Sequence, residues 1–479
     1  MLFSSYLFIF LFLPSSLLAY YLSPRKVKNV TLLVISYIFY SWGAPTLIII
    51  LFGSSIIDFM LAKLFFKQNN IIYKKYLFFL AIAINICLLA YFKYANFFIT
   101  EVSEVFKLFG FNEIYWQKIA LPIGISFFTF QKISYLADVY RNKVEPAKNL
   151  INYLLFVALF PQLIAGPIIR YHSINLQIEN RLHSFDRFFS GFVRFAIGLG
   201  KKVILADSMG AVSDNIFHLE AGQLSTGYAW LGIITYSLQI YFDFSGYSSM
   251  AIGLGRMFGF EFQENFNYPY ISKNLTEFWR RWHISLSNFM KEYLYIPLGG
   301  NQVSVARNYL NLWIVFILSG LWHGASWNFI FWGVFHGLIL SLDKMFWLKF
   351  SSRFTSAFNL IFTYFIVLNS WVLFRSENFS IALSYFKKLY YYYQPNIYEN
   401  RIYLDQIINN KGIIFLLIGL SMIFIPATKI YQKYCQKLFL HSKSILIIVL
   451  QGIFAILIYI LTILSMATAT YNPFIYFQF

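Results

Sequence analysis

The chain has 479 residues, of which 59% are hydrophobic and only 12% are charged, and its formal net charge is +18. Apolar runs of about eighteen residues or more recur along it, which excludes a soluble globular protein and indicates an integral membrane protein. The Lys and Arg side chains are scattered among the loops between the apolar runs, as the positive-inside rule describes, so the net charge does not indicate a nucleic-acid-binding protein.

The predicted fold is an all-α polytopic membrane protein. Some apolar segments contain Pro or Gly clusters, as in "PQLIAGP" at 161–167, and these predict re-entrant segments, so we expect roughly eleven true crossings. We find no fixed repeat and no polar linker, and therefore expect one membrane domain over 1–479. The apolar segments lie at 2–22, 30–43, 45–62, 76–98, 119–136, 150–169, 188–205, 226–242, 308–321, 327–342, 355–374, 412–427 and 444–467.

Charge in the loops predicts the orientation of the chain. No basic residue precedes the first apolar segment, no small-residue cleavage site ends it, and "RKVK" (25–28) follows it. This pattern predicts a retained first helix with its N-terminus on the outer side of the membrane. The basic loops at 343–353 and 428–443 are predicted to be cytoplasmic, which places the C-terminal tail, 468–479, on the outer side.

The cysteines and histidines do not predict a metal site or a disulfide framework. Cys87 and Cys435 are isolated, and no Cys/His cluster has the spacing of zinc ligands. We also expect no permanently bound cofactor.

The most polar internal stretch is "NLTEFWRRWHISLSNFMKEYLYIPLGGN" at 274–301. Its apolar residues follow helical spacing, and so does a polar stripe, which predicts one amphipathic helix at the cytoplasmic face. In one interpretation its cations meet anionic lipid headgroups. In the other, Arg280, Arg281 and Lys291 bind the phosphates of a ligand that enters near His283, because Arg presents paired donors to phosphate.

Asp243 is a carboxylate within an aromatic segment, "YFDFSGYSSMAIGLG" (241–255). An ionised group inside a bilayer needs a partner, so we expect Asp243 to orient a histidine, to pair with an arginine or to hold a broken helix by a structural hydrogen bond. The glycines of this segment do not form a dinucleotide fingerprint because no strand precedes them.

Two histidines lie in "SGLWHGASWNFIFWGVFHG" at 319–337. An imidazole in so apolar a segment is hydrogen-bonded, lines an aqueous cavity or takes part in chemistry. His336 follows His323 by thirteen residues, a rotation of roughly 220° on a straight helix, so one straight helix would not direct both rings to one site. A structural role is as good an interpretation of His336 as a functional one.

Five segments in order give the chain a family resemblance: 121–141, "FVALFPQLIAGPIIR" (156–170), 241–255, "FWRRWHISLSNFMKEYLYIPLGGN" (278–301) and "GLWHGASWNFIFWGVFHG" (320–337). They resemble the membrane-bound O-acyltransferase family, and within it the bacterial branch of alginate and peptidoglycan O-acetylation proteins. The resemblance implies a helical core with re-entrant and amphipathic helices around a central funnel, with its signature region at about 121–342. It also implies that His323 is the catalytic residue and that His283 is the second signature position.

Imidazole chemistry agrees with this assignment. Acyl transfer from a thioester to a hydroxyl needs a base that removes the hydroxyl proton, and imidazole titrates near neutral pH. The donor implied is acetyl-CoA on the cytoplasmic side, bound through Arg280, Arg281 and Lys291, with Asp243 as a further candidate for substrate binding.

The C-terminal tail ends in "YNPFIYFQF" (471–479). An interfacial aromatic belt is one explanation for this composition. The pattern Phe474-x-Tyr476-x-x-Phe479 also resembles the C-terminal motif of a small partner protein in teichoic-acid D-alanylation, which implies that Tyr476 carries the acyl group transiently as an activated aryl ester.

We therefore predict an acetyltransferase in a bacterial inner membrane that supplies acetyl groups for O-acetylation of a polysaccharide on the far side. A membrane-anchored or periplasmic acetyltransferase is the expected partner, and a residue usage typical of an AT-rich genome favours peptidoglycan over alginate. The alternatives are D-alanyl transfer to teichoic acid and a flippase that moves a lipid-linked sugar without chemistry.

Overall fold

The computed structural model describes residues 1–164, 166–220, 222–394, 402–428, 430–431, 444–468 and 474–475, and within them all regular structure is helical. Each apolar segment predicted from the sequence contains helix, although the start of 119–136 and the end of 150–169 are not helical. The α-helices are α1 Leu13–Leu22, α2 Lys28–Gly43, α3 Ile48–Lys67, α4 Ile71–Leu108, α5 Ile125–Tyr140, α6 Leu150–Ala158, α7 Phe160–Leu163, α8 Tyr171–Glu179, α9 Phe185–Gly200, α10 Asp207–Phe217, α11 Thr226–Met257, α12 Leu275–Arg281, α13 Ile284–Met290, α14 Val305–His323, α15 Trp327–Leu342, α16 Leu348–Phe350, α17 Ser356–Arg375, α18 Phe379–Tyr390, α19 Leu404–Ile407, α20 Asn410–Phe424 and α21 Ile445–Thr468.

Side-chain caps fix where several helices begin. The carboxamide oxygen of Asn70 accepts the N–H groups of Ile72 and Tyr73 at the start of α4. Asn274 and Ser304 cap α12 and α14 in the same way, which satisfies N–H groups that have no partner inside the helix. Short π-helical segments occur at Leu7–Phe12, Lys201–Ala206, Lys291–Tyr295 and Asp343–Trp347, and 3-10 turns at Arg25–Val27, Pro269–Ile271, Ser351–Arg353 and Ile425–Ala427.

Within the described residues, six helices are long and apolar enough to cross a membrane. A shorter apolar helix covers Leu7–Leu22. The protein is therefore a multi-pass membrane protein, as the sequence predicted, while the expectation of roughly eleven crossings stays a prediction. The six are Ile48–Lys67, Ile71–Leu108, Trp327–Arg353, Ser356–Arg375, Asn410–Ala427 and Ile445–Ala467.

The chain forms two compact units, each built from non-contiguous segments. Unit 1 comprises 1–192, 251–263 and 291–294, and unit 2 comprises 193–250, 264–290 and 295–479. In unit 1, Asp58 of α3 pairs with Lys132 of α5 at 3.1 Å and accepts a hydrogen bond from Asn85 of α4 at 2.7 Å. The two side chains are almost fully buried. Each therefore serves as the counter-charge of the other in a place that water does not reach.

Unit 2 contains the antiparallel pair α14 and α15, which pack closely because small residues lie between them. A Cβ added to Gly320 would lie 2.2 Å from the carbonyl oxygen of Phe329, and one added to Gly333 would lie 2.4 Å from that of Phe316. Only hydrogen at these positions allows the backbones to approach so closely, as small residues do between membrane helices. The turn that joins the two helices, 324–326, directly follows His323.

Candidate functional site

His323 is the last residue of α14, and its ring is 4% exposed. Gly324 continues the chain in an extended conformation, and a Cβ on it would lie 2.1 Å from the ring of Phe329. The extended Gly324 thus ends the helix at His323, and only a residue without a Cβ fits there beside Phe329. The His323 imidazole packs edge-on against three rings, at centroid distances of 4.9 Å to Trp322, 5.1 Å to Trp332 and 5.2 Å to Phe374.

His283 lies at a break in the polar segment 274–301. The sequence predicted one continuous helix there, and this prediction was wrong. α12 ends at Arg281 and α13 begins at Ile284, and His283 between them has a φ of 45°. A positive φ is uncommon for a residue with a side chain and marks a position held by its surroundings.

Asn265 stabilises this helix break through hydrogen bonds. Its backbone carbonyl accepts the N–H of Ile284 at 2.9 Å, and its side-chain oxygen accepts the N–H and the hydroxyl of Ser285 at 3.1 and 2.8 Å. These bonds replace the intrahelical bonds that a continuous helix would make. The same side-chain oxygen lies 3.1 Å from Nδ1 of His283.

The bonds around Asn265 also determine the tautomer of His283. A backbone N–H can only donate, so Asn265 presents its oxygen and not its amide nitrogen to this cluster. Nδ1 of His283 then carries the proton and Nε2 carries the lone pair. His283 is fully buried, and burial lowers its pKa to about 3, so the ring is neutral near pH 7.

Trp322 brings the two signature histidines together. Its ring lies 5.9 Å from that of His283 and 4.9 Å from that of His323, measured between centroids. His283 also meets the ring of Phe244 edge-on at 4.7 Å. The polar segment and the "WHG" segment, distinct in the sequence, thus contribute to one aromatic cluster.

His336 has a hydrogen-bond partner in the core of unit 2. The indole N–H of Trp279 donates to its Nδ1 at 3.3 Å, and Trp332 packs against its ring at 4.5 Å. His323 and His336 lie on different helices and both contact Trp332, so the rotation expected for one straight helix does not apply. The contacts of His336 correspond to the structural interpretation.

The structure does not place the three predicted phosphate-binding cations on one continuous helix. Arg281 is bonded to Glu277 at 2.8 Å and to the carbonyl of Asn267 at 3.1 Å, whereas Arg280 is exposed. Lys291 is exposed, begins a π-helical segment and belongs to unit 1. Their role in donor binding stays a prediction.

Asp243 pairs with a lysine, whereas the sequence suggested a histidine, an arginine or a structural hydrogen bond. One carboxylate oxygen lies 2.9 Å from Nζ of Lys202, and the other accepts the backbone N–H of Ile475 at 2.8 Å. Lys202 also bonds to Asp207 at 2.7 Å. Beside these residues lies a cavity of about 250 Å³, lined by Lys202, Ala206, Asp207, Asp214, His218, Gln239, Asp243, Arg375, Glu377 and Ile475.

Tyr476 lies outside the described residues, whereas the two residues before it are described. Phe474 and Ile475 are 1% and 4% exposed. The tail therefore enters the core of unit 2 immediately before the position that the sequence nominated as an acyl carrier.

Sequence reasoning missed Lys202, Asn265 and a carboxylate–imidazole pair in unit 1. Lys202 lies in the apolar segment 188–205, and an ionisable residue at such a place is a signal that we could have used. In unit 1, Nδ1 of His172 lies 2.8 Å from Asp138, which also accepts the hydroxyl of Tyr293 at 2.9 Å. No local pattern indicates this cluster because its members are distant in the sequence.

The chain is similar to known proteins over most of its length. The sequence profile described as MBOAT, membrane-bound O-acyltransferase family, matches residues 7–383. The chain is 37% identical to the probable alginate O-acetylase AlgI of Azotobacter vinelandii over the whole of both chains. It is 36% identical to the peptidoglycan O-acetyltransferase of Helicobacter pylori over 81% of this chain and 79% of that protein. It is 27% identical to the teichoic acid D-alanyltransferase of Bacillus subtilis over 54% of this chain and 69% of that protein.

The profile covers most of the chain, including both signature histidines, and the O-acetylase relatives align over most or all of their length. The chain belongs to the membrane-bound O-acyltransferase family and is a multi-pass membrane acyltransferase.

Proposed function

We propose that this acyltransferase moves acetyl groups from cytoplasmic acetyl-CoA across a bacterial inner membrane for O-acetylation of a polysaccharide, with peptidoglycan as the acceptor. The observation that carries the proposal is the position of His323 at the end of α14, in contact with the Trp322 ring that also contacts His283. Relatives named as alginate and peptidoglycan O-acetylating enzymes support acetyl as the transferred group.

His323 is the general base of the proposed reaction. Its imidazole removes the proton of an attacking hydroxyl, the hydroxyl oxygen bonds to the thioester carbonyl carbon, and the carbon–sulfur bond breaks. The imidazolium then gives the proton to the leaving thiolate, which departs as free CoA. The carbonyl groups at the C-terminal end of α14 favour the imidazolium that forms during this step.

His283 contributes a neutral ring with an unprotonated Nε2. Because Asn265 holds the proton on Nδ1, Nε2 accepts a hydrogen bond and does not give one. Among the described residues Nε2 has no hydrogen-bond partner. We propose that Nε2 accepts a hydrogen bond from the hydroxyl or thiol group of a bound substrate.

Tyr476 is the proposed first acceptor. Its phenol receives the acetyl group as an aryl ester, and a hydroxyl of the partner acetyltransferase then attacks this ester and regenerates the phenol. The partner completes transfer to the polysaccharide. Arg280, Arg281 and Lys291 remain the candidates for binding the phosphates of acetyl-CoA.

The test combines cells and purified protein. We expect deletion of the gene, or His323→Ala, to remove O-acetyl groups from peptidoglycan as measured by mass spectrometry of released muropeptides. The purified protein should release CoA thiol from acetyl-CoA, and His323→Ala should not. His183→Gln is the matched control, because it alters a histidine in unit 1 that bonds to Tyr20.

Other outcomes would overturn the proposal. Loss of D-alanyl esters with intact acetylation would make the chain a D-alanyltransferase. If peptidoglycan acetylation is unchanged and another polysaccharide loses its acetate, only the choice of peptidoglycan as the acceptor is wrong. A chain that moves lipid-linked sugar and releases no thiol would be a flippase.

A further inference from the structure

The described end of the C-terminal tail is bound inside unit 2 by its main chain. The N–H of Ile475 donates to Oδ2 of Asp243 at 2.8 Å, and the two groups are buried. A hydrogen bond to an ionised acceptor is among the stronger ones in proteins. Because the tail contributes a backbone group, this contact does not depend on the side chain at position 475.

Lys202 supplies a positive charge beside Asp243 in the core. Its Nζ lies 2.9 Å from the other oxygen of Asp243 and 2.7 Å from Asp207, and its side chain is 4% exposed. A buried carboxylate without a counter-charge would take up a proton or expel its ligand. One oxygen of Asp243 thus binds the lysine, and the other is left for the tail.

An aromatic contact fixes the residue before Ile475. The ring of Phe474 lies 4.7 Å from that of Tyr247 and 5.9 Å from that of Phe244. Phe244 in turn meets the ring of His283 at 4.7 Å. The tail therefore docks on the same helix, α11, that contacts the second signature histidine.

The charged cavity lies directly beside this docking point. Ile475, Asp243 and Lys202 all line it.

We propose that Asp243 and Lys202 are positioning residues that dock the C-terminal tail by its main chain at Ile475, the residue before the proposed acyl carrier. The inference rests on the proposed function, in which Tyr476 carries the acetyl group. In the docked tail, the Phe474 ring packs against Tyr247 of α11, and the Asp243 carboxylate binds the backbone of Ile475.

The experiment measures how fast carboxypeptidase removes residues 476–479 from the intact, detergent-solubilised protein, followed by mass spectrometry. The main variant replaces the ion pair by apolar groups, Asp243→Leu with Lys202→Met, a type of change that often preserves folding. We expect the tail to be removed at least about 10-fold faster, as for a contact worth about 1.4 kcal/mol.

Asp343→Asn is the matched control. Asp343 is also a buried carboxylate that accepts a backbone N–H, that of Thr276 at 2.8 Å, but the bond is made to α12 and not to the tail. We expect its tail to be digested at the wild-type rate. Wild-type protection in the folded double variant would overturn the docking proposal.

Two further variants keep the outcomes separate. If the double variant does not fold, Asp243→Asn takes its place. We expect its tail to be digested faster than that of wild type, and an unchanged rate would count against the proposal. Tyr476→Phe should keep the tail protected while abolishing acetyl transfer. If Tyr476→Phe remains active, the relay is wrong, and the digestion rates still decide whether Asp243 and Lys202 dock the tail.

Discussion

His283 and His323 pack against the same indole, that of Trp322, at 5.9 and 4.9 Å. The two imidazoles come from segments with different backbone environments, a break between two short helices and the end of a long one. A rigid ring that contacts both is the simplest device for keeping their separation constant, and catalytic geometry depends steeply on such separations.

Replacement of Trp322 should therefore reduce catalysis more than binding. We expect Trp322→Leu to lower kcat for thiol release from acetyl-CoA by about 10²-fold, the cost of a misplacement of about 1 Å. Trp322→Phe keeps a ring at the position and should lose less activity. Equal activity of the Leu variant and wild type would show that the shared indole is not needed.

Asn265 should matter through the tautomer of His283. We expect Asn265→Ala to lower kcat by about 10–100-fold, as changes to orienting partners of functional histidines do. Asn265→Asp keeps an oxygen acceptor and should retain more activity. Asn359→Ala removes another buried carboxamide, one that bonds to the carbonyl of Ser351, and should leave kcat unchanged.

The buried His283 predicts a pH dependence of stability. Its pKa is lowered to about 3, so between about pH 6.5 and 3 the unfolded chain binds a proton that the folded chain does not. The stabilising contribution is complete above pH 6.5 and is lost as the pH falls, by up to about 1.4 kcal/mol per pH unit. Thermal unfolding in detergent at a series of pH values measures it.

His283→Asn is the variant for this measurement, because Asn tolerates a positive φ better than most residues. We expect its Tm to fall less steeply below pH 6.5 than that of wild type. An identical slope in the two proteins would assign the acid sensitivity to other groups.

The close approach of α14 and α15 predicts that Gly320 is sterically required. A Cβ there would lie 2.2 Å from the carbonyl oxygen of Phe329, so Gly320→Ala should cost about 1–3 kcal/mol and lower the Tm. Gly53→Ala is the matched control in another apolar helix, since a Cβ there meets nothing within 4 Å. Its Tm should stay the same or rise, and equal effects of the two changes would contradict the packing argument.

Single cysteines test the predicted orientation. In a background of Cys87→Ser and Cys435→Ser, Tyr115→Cys should react with a membrane-impermeant maleimide in whole cells. Its loop follows the basic residues at 63–75 by one apolar segment, so the positive-inside rule predicts that it lies outside. Lys349→Cys should react only after permeabilisation. Both native side chains are exposed, and the opposite labelling pattern would reverse the topology.

The sequence by itself determined the membrane class, the family and the positions of most helices, and it nominated His323 as the catalytic residue. These follow from local properties, since apolar length and helical periodicity act on neighbouring residues and the "WHG" segment is contiguous. The prediction of one helix over 274–301 was wrong because helical periodicity contains no information about a distant residue that competes for the backbone hydrogen bonds. Asn265 is that competitor, and its bonds to Ile284 and Ser285 replace those of the helix.

Only the tertiary structure decided the partners of the buried charged and polar groups. Asp243 needed a counter-charge, and the sequence offered many, but folding selects Lys202 and leaves one carboxylate oxygen for Ile475, which is 232 residues away. Helix packing likewise makes Trp322 the common contact of the two histidines. Desolvation favours a partner for a buried polar group, and which partner lies within reach depends on how the helices pack.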